Sequence, residues 1–200
     1  MSKSLADQDL LQKEADRVVE LLGLWPMLER IGRPVRVGSS AMRLMVRRDI
    51  DITVICKALD EATRHSIAGL AAQLITTDHV GSVRFRNDSA GWKADELEYP
   101  DGLYLGIFAR TLSGEGWNLD LWFIDEPERQ PDLAHLSTLL PRITDDHREA
   151  ILAIKRELAR SPREAPPSVP SALVYEAVVD CGVRDTTAFV NWLDNRSSST

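Results

Sequence analysis

The sequence predicts an α/β (α+β) protein: a small mixed sheet flanked by helices, followed by a helical C-terminal segment. Three observations predict it. Apolar residues recur at helical spacing near the N-terminus and again from Asp145 onward. Between them lie short runs rich in β-branched and aromatic residues. A Pro-rich stretch, "SPREAPPSVP", then sets the last helical patterns apart. A length of 200 residues suits one domain with a small appendage. The expected division is residues 1–126 for the sheet with its N-terminal helix, and 127–200 for the helical segment.

In chain order, residues 5–23 read as an amphipathic helix capped by Ser4, with Leu11, Ala15, Val18, Val19 and Leu22 on one face and Gly23 as the stop. "LWPMLERIG" adds a short helical piece with Pro26 in its first turn. "PVRVG" is a strand, Gly38-Ser39-Ser40 a turn, and "AMRLMVRR" a short helix starting at Ser39 or Ser40. "DIDITVIC" is a strand, and the segment from Asp60 to Ile75 an amphipathic helix. "VGSVRFRND" alternates, with Val80, Ser82, Arg84 and Arg86 on one face. Ser89–Gly102 is a polar, acidic loop carrying Asp95, Glu96, Glu98 and Asp101. "LYLGIFART" and "WNLDLWFID" are strands joined by the glycine-bearing hairpin "LSGEG". Residues 126–144 are irregular with one helical turn, and Asp145–Arg160 is a helix whose charges suit the macrodipole. Ser171–Cys181 and Asp185–Leu193 are two more helical patterns, before a frayed "RSSST" tail.

Composition narrows the function classes. A net charge of −7 and a pI near 5.1 argue against the clustered cationic footprint of a nucleic-acid binder. A nucleotide stays admissible, because backbone amides can hold phosphates on an acidic protein. Cys56 and Cys181 are far apart and form no ligand pair, which suits a reducing compartment, with Cys56 a small buried hydrophobe. The N-terminus has no apolar signal core, and no apolar run reaches a membrane span. The expectation is a cytoplasmic protein with no membrane partner.

The chemistry concentrates in Val35–Cys56. Side chains on a strand alternate, so Asp49, Asp51 and Thr53 share one face, opposite Ile50, Ile52 and Val54. Two adjacent carboxylates repel, and a divalent cation such as Mg²⁺ relieves that repulsion. Asp120, inside the apolar run "WNLDLWF", is a third charge in a buried strand. If the two strands are neighbours, all three aspartates meet, and such a cluster suits metal-assisted displacement. Gly38 at a strand-to-helix turn lets a phosphate approach the backbone. Ser39 and Ser40 add hydroxyls, and Arg47 and Arg48 balance charge or touch phosphate.

"VGSSAMRLMVRRDIDITV" followed by "NLDLWF" resembles the nucleotidyltransferase superfamily of polymerase-β-like fold, over roughly residues 30–125. The matching positions are Gly38, Ser39, Asp49, Asp51 and Asp120. The small size is similar to the minimal and antibiotic-type members, which pair the catalytic sheet with a helical half. The resemblance implies transfer of a nucleoside monophosphate, AMP from ATP, to the hydroxyl of a small-molecule acceptor, with Mg²⁺ and release of pyrophosphate. It implies metal ligation by Asp49, Asp51 and Asp120, with Asp120 as ligand or base, and a nucleotide-binding turn at Gly38, Ser39 and Ser40. One departure is Met42-Arg43-Leu44, where many members carry a second glycine. Nothing resembles the basic RNA-binding extensions of tailing members, so no nucleic-acid partner is expected. A homodimer is the default assembly. The alternative is an antitoxin-like or degenerate member that binds or modifies a protein partner.

The remaining residues have plainer readings. Members of the resembled family sometimes aim a lysine of the C-terminal helix at the triphosphate, but Lys155 is read as a solvated helix lysine. Trp92, Trp117, Trp122 and Tyr104 are read as core or rim packing rather than base-stacking groups. His65, His79, His135 and His147 lack ligand spacing, and "RITDDH" reads as a helix start rather than a ribonuclease motif. The acidic loop reads as solvated.

Overall fold

The computed structural model describes residues 2–89, 92, 100–160 and 169–197. Helix α1 spans Lys3–Leu21 and α2 Leu24–Glu29; β1 (Arg33–Val37) leads into the short α3 (Gly38–Met42). Strand β2 (Asp49–Ile55) is followed by α4 (Glu61–Ile75) and β3 (Val80–Asp88). The hairpin β4 (Gly102–Arg110) and β5 (Gly116–Ile124) completes the sheet. The helices α5 (Pro131–Thr138), α6 (Asp145–Arg160), α7 (Ser171–Val179) and α8 (Thr186–Ser197) follow.

The sheet order is β1-β2-β5-β4-β3. Only β2 and β5 are parallel; the other pairs are antiparallel. The crossover through α4 carries the chain to the far edge, and the β3-β4-β5 meander returns it to β2. Two strands distant in sequence thereby become neighbours.

Period-two alternation divides the sheet into two faces. Ile50, Ile52 and Val54 of β2, Leu119, Leu121 and Phe123 of β5, and Leu103 and Leu105 of β4 are fully buried on one face. They join Ala15, Val18, Leu24 and Leu28 from the first two helices and Ile67, Leu70 and Leu74 from α4 in one apolar cluster. Each fully buried aliphatic there contributes about 1.5–3 kcal/mol. A second cluster gathers Ile151 and Ile154 of α6, Val174 and Val178 of α7 and Phe189 of α8. Met42 and Leu44, from the segment before β2, belong to it, so the helical part grips the chain beside the Asp49–Asp51 pair.

Several boundaries depart from the sequence reading, each for a local reason. The cap of α1 is Ser2, whose hydroxyl accepts from the Leu5 amide at 3.4 Å; Ser4 lies inside the helix. Gly23 takes the left-handed conformation (φ 55°) between α1 and α2. The helix expected over "AMRLMVRR" begins at Gly38 and ends at Met42, because Arg43 adopts a left-handed φ of 60°. A bulge between Val80 and Ser82 places Val80 opposite Ala109, and Val80 is buried in the core cluster rather than aligned with Arg84 and Arg86. The region 126–144 contains the two-turn helix α5. Most of the acidic loop, including Asp95, Glu96 and Glu98, lies outside the described residues, as do 161–168 of the Pro-rich stretch and 198–200 of the tail. Among the described residues no helix is long and apolar enough to cross a membrane.

Candidate active site

The parallel β2–β5 register sets Asp51 directly opposite Asp120, and Asp49 opposite Asn118. Each of Asp49, Asp51 and Asp120 offers a carboxylate oxygen, and these lie within 4.8 Å of one another. Among the described residues this is the one cluster of metal-ligating side chains. The cluster is half-buried and electrostatically frustrated. Burial, followed by Asp49, Asp120 and Asp132, pushes the Asp51 carboxyl up to about 8, against the pull of Lys155. Asp49 is raised too, by burial and then Asp120, with Arg47 and Lys155 opposing. Three carboxyls sharing so small a volume suit a hard divalent cation, which replaces their mutual repulsion with attraction.

The β1–α3 turn faces the same carboxylates, since Val37 pairs with Asp51. Gly38 has φ 61°, and a Cβ there would stand 2.3 Å from Asp51 Oδ2. Only glycine meets both conditions. Ser39 is half-buried at the turn, and its carbonyl accepts from the Leu44 amide at 2.9 Å. Ser40, expected in the nucleotide-binding turn, is instead buried and donates its hydroxyl to the Val37 carbonyl at 3.3 Å. It braces the turn. Of the two arginines before Asp49, Arg48 pairs with Glu14 at 3.4 Å, whereas Arg47 acts on Asp49 through its charge.

Lys155 is the largest departure from expectation at the site. It is not a solvated lysine: Nζ donates to the Leu44 carbonyl at 2.8 Å and the Tyr175 hydroxyl at 3.1 Å. Burial lowers its ammonium to about 8, while Asp51 and Asp49 favour the charged form. A cation from α6 thus acts through its charge on the carboxylates of β2.

Sequence reasoning missed three further groups. Asp132, in the first turn of α5, is raised by burial and adds to the negative field on Asp51. Gln8 of α1 is buried and accepts from the Met45 amide at 2.5 Å, tethering the segment before β2. The Tyr104 hydroxyl donates to Asp120 Oδ1 at 2.5 Å, and burial followed by this bond pushes Tyr104 up to about 12. The pairing Tyr104↔Trp122, one step along from Gly106↔Asp120, places the ring beside the carboxylate, but no local pattern announces that register.

The plain readings hold for several other residues. Trp117 is buried in the core, and Cys56 is buried with its thiol pushed up to about 11 by burial and Asp125. His147 lies at the start of α6, its backbone amide donating to Thr144 Oγ1 at 3.2 Å, while Arg142 pairs with Asp180. "RITDDH" is thus a helix start.

No protein-family model and no curated protein sequence matches the chain. Solved structures do. Cid1 bound to the UTP analogue UMPNPP superposes with a TM-score of 0.56 at 15% identity, over 85% of this chain and 48% of that one. A cytoplasmic RNA terminal U-transferase gives 0.51 at 16% identity, over 79% and 44%. A mutant Cid1 poly(U) polymerase bound to MgATP gives 0.56 at 18% identity, over 85% and 50%. The chain has the nucleotidyltransferase fold. It spans about half the length of the structures it matches.

These neighbours act on RNA, which overturns the expectation of a small-molecule acceptor and no nucleic-acid partner. The physical error lies in reading a whole-chain charge as a local one. A net charge of −7 is compatible with cations gathered on one face, and Arg84, Arg86 and Arg110 are all exposed on the sheet's carboxylate face.

Proposed function

We propose that the chain is a Mg²⁺-dependent nucleotidyltransferase. It moves a nucleoside monophosphate from ATP or UTP to the terminal hydroxyl of an RNA acceptor. The observation that carries this reading is the convergence of Asp49, Asp51 and Asp120 opposite the Gly38–Ser39 turn. The three carboxylates would hold the divalent cation, which supplies Lewis-acid polarisation and charge neutralisation at the phosphates when bound.

The chain's own residues do the rest. The Gly38 backbone, lacking a Cβ, leaves Asp51 accessible to metal and phosphate together. Lys155, whose charge acts on Asp51 and Asp49, adds positive charge on the triphosphate side. Asp120 accepts the proton of the acceptor hydroxyl as that oxygen bonds to the α-phosphorus and pyrophosphate leaves with the bonding pair. Tyr104, donating to one oxygen of Asp120, orients the carboxyl for this role. The division at residue 126 belongs to the same proposal, with the sheet as catalytic part and the helices as the wall that carries Lys155.

The likeness to RNA terminal uridylyltransferases supports the acceptor class. The test is calorimetric titration of non-hydrolysable ATP and UTP analogues with and without Mg²⁺, paired with extension of a labelled single-stranded RNA. Metal-dependent binding that Asp49→Asn abolishes is the expected result. Wild type that binds neither analogue in Mg²⁺ or Mn²⁺ refutes the proposal.

A further inference from the structure

The sheet face that carries the aspartates continues past them toward the β3 edge. Pairing builds two rows there: Trp122–Tyr104–Arg86, and Asp120–Gly106–Arg84. Phe108 lies on the same face, one step further along β4. Helix α3 packs against β1 and β2, and α5 against β1, at the other end of the strand order. Tyr104, Phe108 and Trp122 are half-buried, and Arg84 and Arg86 are exposed.

The rings have an unusual seat. A Cβ at Gly106 would stand 2.4 Å from Tyr104 Oη, and one at Gly116 would stand 2.8 Å from Phe108 Cζ. At Gly102 it would meet Trp122 Cε3 at 3.3 Å, and at Gly81 Phe108 Cδ1 at 3.3 Å. Each ring thus leans over a glycine, and the Tyr104 and Trp122 rings meet with centres 5.1 Å apart and planes tilted by 51°. Taken alone, glycine–aromatic pairs of this kind only stabilise a sheet. The cations point further. The Arg86 guanidinium carbon is 4.6 Å from the Tyr104 ring centre and 5.6 Å from that of Trp122, and Arg110 is 5.9 Å from that of Phe108. Arg86 is also paired with Asp88, whereas Arg84 has no ion-pair partner among the described residues.

Aromatic rings interleaved with guanidinium groups hold unpaired bases by stacking on ring or guanidinium planes and their phosphates by charge. We propose that this face, formed by Tyr104, Phe108 and Trp122 with Arg84 and Arg86, seats the last unpaired nucleotides of a single-stranded RNA acceptor and directs its 3′ end to Asp120. The inference rests on the nucleotidyltransferase reading above. Charge complementarity selects the occupant: an anionic strand with exposed π-faces satisfies both rings and arginines, which an apolar peptide would not. The glycines make room for the leaning rings. Tyr104 joins the two functions, because its ring belongs to this face and its hydroxyl to Asp120.

The test uses fluorescence anisotropy of a labelled short oligouridylate with the full chain, without nucleotide, at low and high salt. Wild type should bind. Trp122→Ala should bind on the order of 10-fold more weakly through lost stacking. Arg84→Glu, an edge substitution that leaves every ring in place, should bind on the order of 10-fold more weakly and flatten the log–log salt slope by about one. Both variants should retain Mg²⁺-dependent binding of the ATP and UTP analogues. Variants that bind the oligonucleotide like wild type overturn the inference, and so does an RNA duplex of equal length binding as tightly as the single strand. Wild type that binds the metal–nucleotide but not the oligonucleotide overturns it while leaving the site reading intact; wild type that binds neither removes both.

Discussion

Asp51→Asn removes a charge crowded by three other carboxylates and keeps the side chain's shape. Without metal, Asp51 is pushed from an ordinary 3.8 up to about 8, by burial first and then by Asp49, Asp120 and Asp132. Between those two values the folded protein holds a proton that the unfolded chain has released. The stability linked to this group is fully present below about pH 4 and is lost as pH rises toward about 8. Each pK unit corresponds to about 1.4 kcal/mol. With Asp49 raised as well, the loss on reaching neutral pH is on the order of 2–4 kcal/mol. The asparagine carries no such cost. The metal-free variant should therefore melt ~5–10 °C above wild type near pH 8 and about level with it near pH 4. Thermal unfolding followed by circular dichroism, in chelator at both pH values, measures this. Added Mg²⁺ should then raise the wild-type midpoint at pH 8 and leave the variant unmoved, and the variant should be inactive in transfer. A metal-free variant that is no more stable than wild type near pH 8 refutes the argument that the site is a set of repelling carboxylates awaiting a cation.

Three further outcomes follow from the same geometry. Gly38→Ala forces a Cβ into a left-handed position and against Asp51 Oδ2, so it should lose about 1–2 kcal/mol of stability and its Mg²⁺-dependent nucleotide binding together, read by thermal unfolding and titration calorimetry. Tyr104→Phe deletes the hydroxyl that donates to Asp120 while keeping the ring; turnover should fall about 10-fold with oligonucleotide affinity kept, and equal losses in both would separate Tyr104 from Asp120. Lys155→Met leaves the Leu44 carbonyl and Tyr175 hydroxyl without their donor and removes a charge that partly neutralises Asp51 and opposes an incoming cation; a loss of about 1–3 kcal/mol and tighter Mg²⁺ binding in the absence of nucleotide are expected, and unchanged metal affinity would show that its charge does not reach the carboxylates.

Much of the site was legible because its signals are local. Asp49 and Asp51 share a face by strand period alone, and Asp120 stands out as a charge among Leu119, Leu121 and Phe123. Gly38 is marked by its place between a strand and a helix. The serines were less legible: both offer a hydroxyl on paper, but Ser40 turns its own onto the Val37 carbonyl. The bulge that moves Val80 into the core shifts register by one residue, which "VGSVRFRND" gives no means to foresee.

The sequence by itself determined most of the elements, the core faces of β2 and β5 and the identity of the three carboxylates, because propensity and periodicity act between residues a few positions apart. Only the tertiary structure decided that β2 and β5 run parallel with Asp51 opposite Asp120. It also brought Lys155, Asp132 and Tyr104 to those carboxylates, and it laid three rings over glycines next to exposed arginines. The reason is physical. Charge, burial and stacking depend on distance in space, and here the pairs around the carboxylates join residues from different strands or helices.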